Sequence, residues 1–166
     1  ETYLGPKNQK GASLNDKKKV LSLIDRNRGQ ARSIVVDKVS AAGIWPILRD
    51  NISREATLMT DEAHFYKKPG KVFAGHKSVN HGAEEYVSRT DPAVHTNTIE
   101  GFFRVFKRGM KGTYQHCGHN HLNRYLAEFD FRYNNRIALG IDDQCRFDNL
   151  LAGVVGKRLT YETTRQ

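Results

Sequence analysis

Cysteine is scarce in this sequence: only Cys117 and Cys145 occur in 166 residues. Two such cysteines exclude a disulfide framework and fit a reducing compartment. Long apolar runs are missing as well. No stretch approaches the roughly 20 residues that cross a bilayer, and no secretory leader is visible. The expectation is a cytoplasmic protein with no membrane contact. Internal repeats and low-complexity segments are also absent. Acidic residues are in deficit, 18 against 27 Lys and Arg, for a net charge of +9 and a pI near 9.7. That balance points to a polyanionic partner, although basic proteins also carry such charge for solubility alone. Apolar residues make up 38% of the chain, enough for a core and against wholesale disorder. The length suits one domain.

Along the chain, Thr2-Tyr3-Leu4 reads as the end of a strand, followed by a loose basic loop to Asp16. Val20 to Asp25 is an apolar strand. Arg26-Asn27-Arg28-Gly29-Gln30 is a turn, and Ala31 to Val36 is the returning strand of an antiparallel hairpin. The period then changes. Ser40 caps a helix from Ala41 to Leu48 with Ile44, Trp45 and Leu48 at helical spacing, and Pro46 near its first turns. Ala56 to Thr60 is a short apolar strand, expected to be buried and parallel, that ends in Asp61-Glu62. Residues 63–94 are irregular, with short strands expected at Lys77–His81 and Glu84–Ser88. A second helical stretch carries Leu122, Tyr125, Leu126 and Phe129, ending near Arg136. A last helix, capped by Asp142 or Asp143, carries Phe147, Leu150, Leu151 and Val154, and a polar tail runs from Lys157. The domain is expected over residues 1–156.

The stretch from His95 to Gly109 organises the rest. It reads as one helix in which Glu100, Arg104, Lys107, Arg108 and Lys111 fall broadly on one side at steps of three, four and seven. Phe102, Val105 and Phe106 are expected on the core side. A lone carboxylate with several cations suits a site that holds a metal ion and grips phosphate. The plainer alternative is a solvated face with Glu100 paired to Arg104. Asp61, at the carboxyl end of a strand, stands where α/β sites assemble; its plainer role is a turn or helix cap. Carboxylates converging from separate elements bind Mg²⁺ or Mn²⁺ through hard oxygens. Two such ions about 3.5–4 Å apart clamp an in-line phosphoryl transfer. Arg104, Arg108 and Lys111 would then hold DNA phosphates without reading sequence.

Thr60-Asp61-Glu62, His95 through Phe103, Phe106-Lys107-Arg108-Gly109, Gly112 through His116, and Arg124 through Phe129 with Arg132-Tyr133-Asn134 together resemble bacterial insertion-sequence transposases of the DDE type. The resemblance covers nearly the whole chain, and residues 94 to 136 are its most specific part. It implies an α/β RNase-H-like fold, a mixed sheet with flanking helices. It implies metal-dependent cleavage and joining of DNA, transposon ends and target being the partners, and a homo-oligomer in the active complex at the bacterial nucleoid. Asp61 would be the second carboxylate, Glu100 the third, and Lys107 the basic residue two turns later. Some members use Asn near the third position, which makes Asn97 an auxiliary or alternative ligand. The family's first Asp stands directly before a Glu-Thr-Tyr-like segment. Here that segment, Glu1-Thr2-Tyr3, opens the chain, so a truncated piece of a longer protein is expected. Asp25 and Asp37 are poor substitutes for the first Asp, and an extended Glu1 is expected to face the neighbouring side.

Other readings compete. His116, Cys117, His119 and His121 are crowded into six residues without structural-zinc spacing. Cys117 with His119 lacks a third orienting group, which argues against cysteine catalysis. His81 and His95 flank the expected site. The alternative to a transposase is a catalytically inactive, truncated or repurposed DNA-binding module; a related nuclease that cuts without joining is a third reading.

Overall fold

Alternation is the first thing that shapes the sheet. In β2 (Lys18–Asp25), Val20 and Leu21 point to opposite faces and both are buried. A strand apolar on both faces needs cover on both, and it receives it. The computed structural model describes residues 1–5, 17–83, 85–115 and 117–157. In it β2 pairs antiparallel with β3 (Gln30–Val36), Ser22 opposite Ser33, and with β1 (Thr2–Leu4), Thr2 opposite Val20. Gly29 turns the hairpin at φ +67°, and a Cβ there would strike Leu139 and Arg136.

On one face Leu21 and Val36 meet Ile44 and Leu48 of α1 (Ala41–Asn51), with Tyr66 and Phe73. Ser40 caps this helix by accepting the Gly43 N–H at 3.2 Å. Pro46 lies in its second turn rather than its first, so it deletes a helical hydrogen bond. Trp45 is half-buried against the cluster. On the other face Val20 meets Phe106 and Met110 of α3 (Asn97–Gly112) and Leu122 and Leu126 of α4 (Leu122–Asn134). Gly109 lets the two helices close up: a Cβ there would overlap the Phe129 ring, which packs edge-on to Phe106 at 5.1 Å.

β4 (Thr57–Asp61) pairs parallel with β5 (Gly75–Val79), Asp61 opposite Val79. A one-turn helix, α2 (Lys67–Gly70), lies between them. The mixed α/β architecture read from the sequence is therefore present, with the antiparallel and parallel strands as two hydrogen-bonded sheets. β4 is parallel as expected but mostly half-exposed, with only Thr60 buried. The strand expected at Glu84–Ser88 does not form. Glu84 lies outside the described residues, and of the rest Val87 makes a single bridge to His95. The basic loop from Pro6 to Asp16, His116 and all but Lys157 of the polar tail also lie outside them.

α4 does more than pack. Asn134 accepts the Ala31 N–H at 2.6 Å and donates to the Ala31 carbonyl at 2.9 Å, while Asp130 accepts the Ser33 N–H at 2.6 Å and its hydroxyl at 2.7 Å. These are outward-facing groups of β3, the edge of the sheet. Side chains of the helix thus occupy the edge that another strand would use. α5 (Asp143–Ala152) follows, capped by Asp142 through the Cys145 N–H, and it leaves Phe147, Leu150 and Leu151 about half-exposed. Among the described residues no helix is long and apolar enough to cross a membrane.

Candidate active site

β4 ends on Asp61, whose carboxylate accepts the Ala63 N–H at 3.2 Å and so faces the space beyond the strand end. Helix α3 starts one residue after Thr96 and carries Glu100 in its first turn. Both carboxylates line one open cleft of about 2020 Å³, together with Arg104, Lys107, His81, His95 and Thr96. That volume exceeds the roughly 300–1,000 Å³ of small-molecule pockets and suits a polymer. Asn97, Arg108 and Lys111 are exposed on α3 and do not line it. The six cations and ligands read along one helix are therefore divided, with Glu100, Arg104 and Lys107 facing the cleft and Asn97, Arg108 and Lys111 turned away.

The core face of α3 explains the division. Phe102, Phe103, Phe106 and Met110 are its buried residues, whereas Val105 is 52% exposed and belongs to the solvent face. At roughly 100° per residue the buried arc centres between Phe106 and Met110, and Val105 falls well outside it.

Glu100 does not pair with Arg104 among the described residues. Its Oε1 accepts the Thr96 hydroxyl at 2.5 Å and lies 3.6 Å from His81 Nε2. His81 Nε2 is also 3.0 Å from Thr96 Oγ1. His95 meets Arg26, whose guanidinium donates to His95 Nε2 at 2.8 Å and to the Ala93 carbonyl at 2.7 Å. Because an arginine only donates, a neutral His95 carries its proton on Nδ1, which is buried with no hydrogen-bond partner among the described residues. Arg26 thereby ties the β2–β3 turn to the segment that leads into α3.

Glu1, Tyr66 and Asp25 also border the cleft. Glu1 lines it rather than facing away, and its Oε2 accepts the buried Tyr66 hydroxyl at 3.0 Å. Burial first, and then the charges of Glu1 and Asp61, push the Tyr66 phenol far above its ordinary range, so it stays protonated as a donor. Asp25 is occupied: its Oδ1 caps the Asn27 and Arg28 N–H groups at 2.9 and 3.0 Å. Carboxylates of Glu1, Asp25, Asp50, Glu55, Asp61, Glu100 and Asp130 outnumber Arg26, Arg28, Arg32, Arg104 and Lys107 in the lining. The cleft is thus an acid-rich place in a basic chain, a setting that suits a cation between carboxylates and phosphates.

Among the described residues no group of three or more His, Cys, Asp and Glu is gathered closely enough to hold a metal ion. The donor set here is two hard carboxylates in an open cleft. This fits a Mg²⁺-like ion that keeps waters and takes substrate phosphate oxygens, and it does not fit a closed protein cage. Cys117 is not an activated thiol, since burial pushes it up from its ordinary range, and its carbonyl accepts the Lys18 ammonium.

Compared with known proteins, residues 1–134 match the family model of the ISXO2-like transposase domain. No curated protein and no solved structure matches the chain.

Proposed function

Because this chain belongs to the ISXO2-like transposase domain family, we propose that residues 1–156 form a catalytic domain that cleaves and joins DNA at transposon ends and target. The observation that carries this reading is the convergence of Asp61, from the end of β4, and Glu100, from the first turn of α3, on one cleft with Lys107 and Arg104. Asp61 and Glu100 would hold Mg²⁺ or Mn²⁺, one ion or a pair, with DNA oxygens completing the shell. When bound, the ions supply Lewis acidity at the phosphate and a nucleophile at neutral pH.

The chain's own residues do the rest. Lys107 stands two turns from Glu100 on the cleft side and neutralises a backbone phosphate beside it; Arg104, between them, extends the grip. Thr96 orients Glu100 through its hydroxyl. Asn97 is exposed outside the cleft lining, so the proposal rests on Asp61 and Glu100 and gives Asn97 no role. Assembly as a homo-oligomer on DNA at the nucleoid belongs to the same proposal.

The test is nicking of supercoiled plasmid with Mn²⁺, by this chain and by a form extended N-terminally from its gene. Asp61→Asn or Glu100→Gln abolishes nicking while the circular dichroism spectrum is unchanged. Full activity in either variant overturns the assignment. DNA binding without nicking in both forms favours the non-catalytic DNA-binding module. Nicking without joining of a 3′-hydroxyl end to target identifies a nuclease.

A further inference from the structure

The residue after Asp61 has a role of its own. Glu62 reaches across to the loop that follows β5, where its Oε2 accepts the His81 N–H at 2.7 Å and its Oε1 accepts the Gly82 N–H at 3.1 Å. One carboxylate thus clamps two consecutive amides. The N–H groups of Glu62 itself, His81 and Gly82 hold this carboxyl below its ordinary range, so it is ionised at neutral pH. Further hydrogen bonds lie on either side of the clamp. Asn80 Oδ1 accepts the Ala83 N–H at 3.2 Å, and Glu85 accepts the Asn80 and Arg89 N–H groups at 3.3 and 3.0 Å. Tyr86 sets its ring edge-on to His81 with centroids 5.3 Å apart.

What the loop presents is the His81 imidazole, aimed at Thr96 and Glu100. Donor arithmetic fixes the direction of this chain. The Thr96 hydroxyl has one proton, and a carboxylate can only accept it, so that proton goes to Glu100. His81 Nε2, 3.0 Å from the same oxygen, must then be the donor to Thr96. The chain runs from His81 to Thr96 to Glu100, and it starts from an imidazole whose backbone is held by the neighbour of Asp61.

We infer that Glu62 is a positioning residue: by clamping the His81–Gly82 amides it fixes the imidazole that orients Thr96, and through Thr96 the Glu100 carboxylate. In this way the two candidate ligands are set relative to one another by Glu62, which acts through His81 and Thr96. The inference rests on the proposed role of Asp61 and Glu100 as metal ligands.

The test uses the 166-residue chain and its Glu62→Ala, Glu62→Gln and Asp61→Asn variants, with two readouts. One is amide hydrogen exchange at His81 and Gly82; the other is calorimetric titration with Mn²⁺ alone. In Glu62→Ala, exchange at both amides rises about tenfold, as expected when charge-assisted hydrogen bonds are lost, and Mn²⁺ binds several-fold more weakly. Glu62→Gln, which keeps one acceptor oxygen, falls between Ala and the parent chain. If Glu62→Ala fails to fold, the Gln variant decides on the same readouts. Unchanged Mn²⁺ affinity in the Glu62 variants, with binding lost in Asp61→Asn, overturns the inference and leaves the ligand assignment standing. Mn²⁺ affinity that is unchanged in Asp61→Asn as well overturns both.

Discussion

Thr96 gives its hydroxyl to Glu100 Oε1 at 2.5 Å and so leaves the N-terminus of α3 without a side-chain cap. The residue in the capping position serves the candidate ligand instead of the helix. Thr96→Val keeps the shape and removes the hydroxyl. Since no helix cap is lost, the cost is that of the hydrogen bonds, about 1 kcal/mol, and Mn²⁺ affinity falls because Glu100 loses its orienting donor. Urea unfolding with a parallel Mn²⁺ titration checks both; a loss in stability with unchanged Mn²⁺ affinity would separate Thr96 from the site.

Two glycines of α3 should respond to alanine with opposite sign. At Gly101 an added Cβ meets nothing within 4 Å, so Gly101→Ala gains helix propensity of about 0.8–1.0 kcal/mol. At Gly109 the Cβ overlaps the ring of Phe129, which is wedged against Phe106. There overpacking, typically about 1–3 kcal/mol, outweighs the propensity gain. Denaturant midpoints of the two variants should move in opposite directions.

Lys107→Ala should weaken DNA binding and reduce the slope of log K against log salt by about 0.9, the release of one phosphate's counterions. Arg104→Ala should do the same. Arg108→Ala and Lys111→Ala, outside the cleft lining, should change the slope less. Binding titrations of duplex DNA at three salt concentrations distinguish these; equal slopes for all four variants would return the whole row to a solvated basic face.

Asp130 makes stability depend on pH in a distinctive sense. Burial, its largest influence, raises its carboxyl above the ordinary 3.8, although both donors of Ser33 pull the other way. A carboxyl raised by folding holds its proton more tightly in the folded chain. Its contribution is therefore fully present below the ordinary carboxylate range and lost as pH rises through the raised value. Measured against Asp130→Asn, the parent chain should gain relative stability between pH 7 and pH 4. Urea midpoints at the two pH values test this, and a difference that does not vary with pH would place no raised carboxyl at Asp130.

The parts of the fold that were legible in the sequence are those set by local period. Alternation marked the β2–β3 hairpin. Spacing of four and seven brought Glu100, Arg104 and Lys107 to one side, and an acidic residue ending an apolar run placed Asp61 at a strand end. Val105 was misplaced because a pattern of apolar residues does not say where the buried arc is centred; Phe103 and Met110 lie inside it and Val105 does not. Among the described residues 85–88 the expected strand is replaced for a local reason of another kind: Glu85 uses its carboxylate to bind the Asn80 and Arg89 N–H groups. Glu1 with Tyr66, and Asp130 with Ser33, were invisible because each joins residues far apart in the chain. No period links them; only the packing of α4 on β3 and of Tyr66 into the core with Leu21 and Ile44 does.

The latch of α4 on β3 gives the antiparallel sheet a direction. With Ala31 and Ser33 already bonded to Asn134 and Asp130, that side is closed to another strand, from this chain or a neighbour. Growth of the sheet is left to β1, the opposite edge, on the side where Glu1 meets Tyr66. Any strand added to this sheet therefore joins beside Glu1 at β1, while the β3 edge stays sealed by α4.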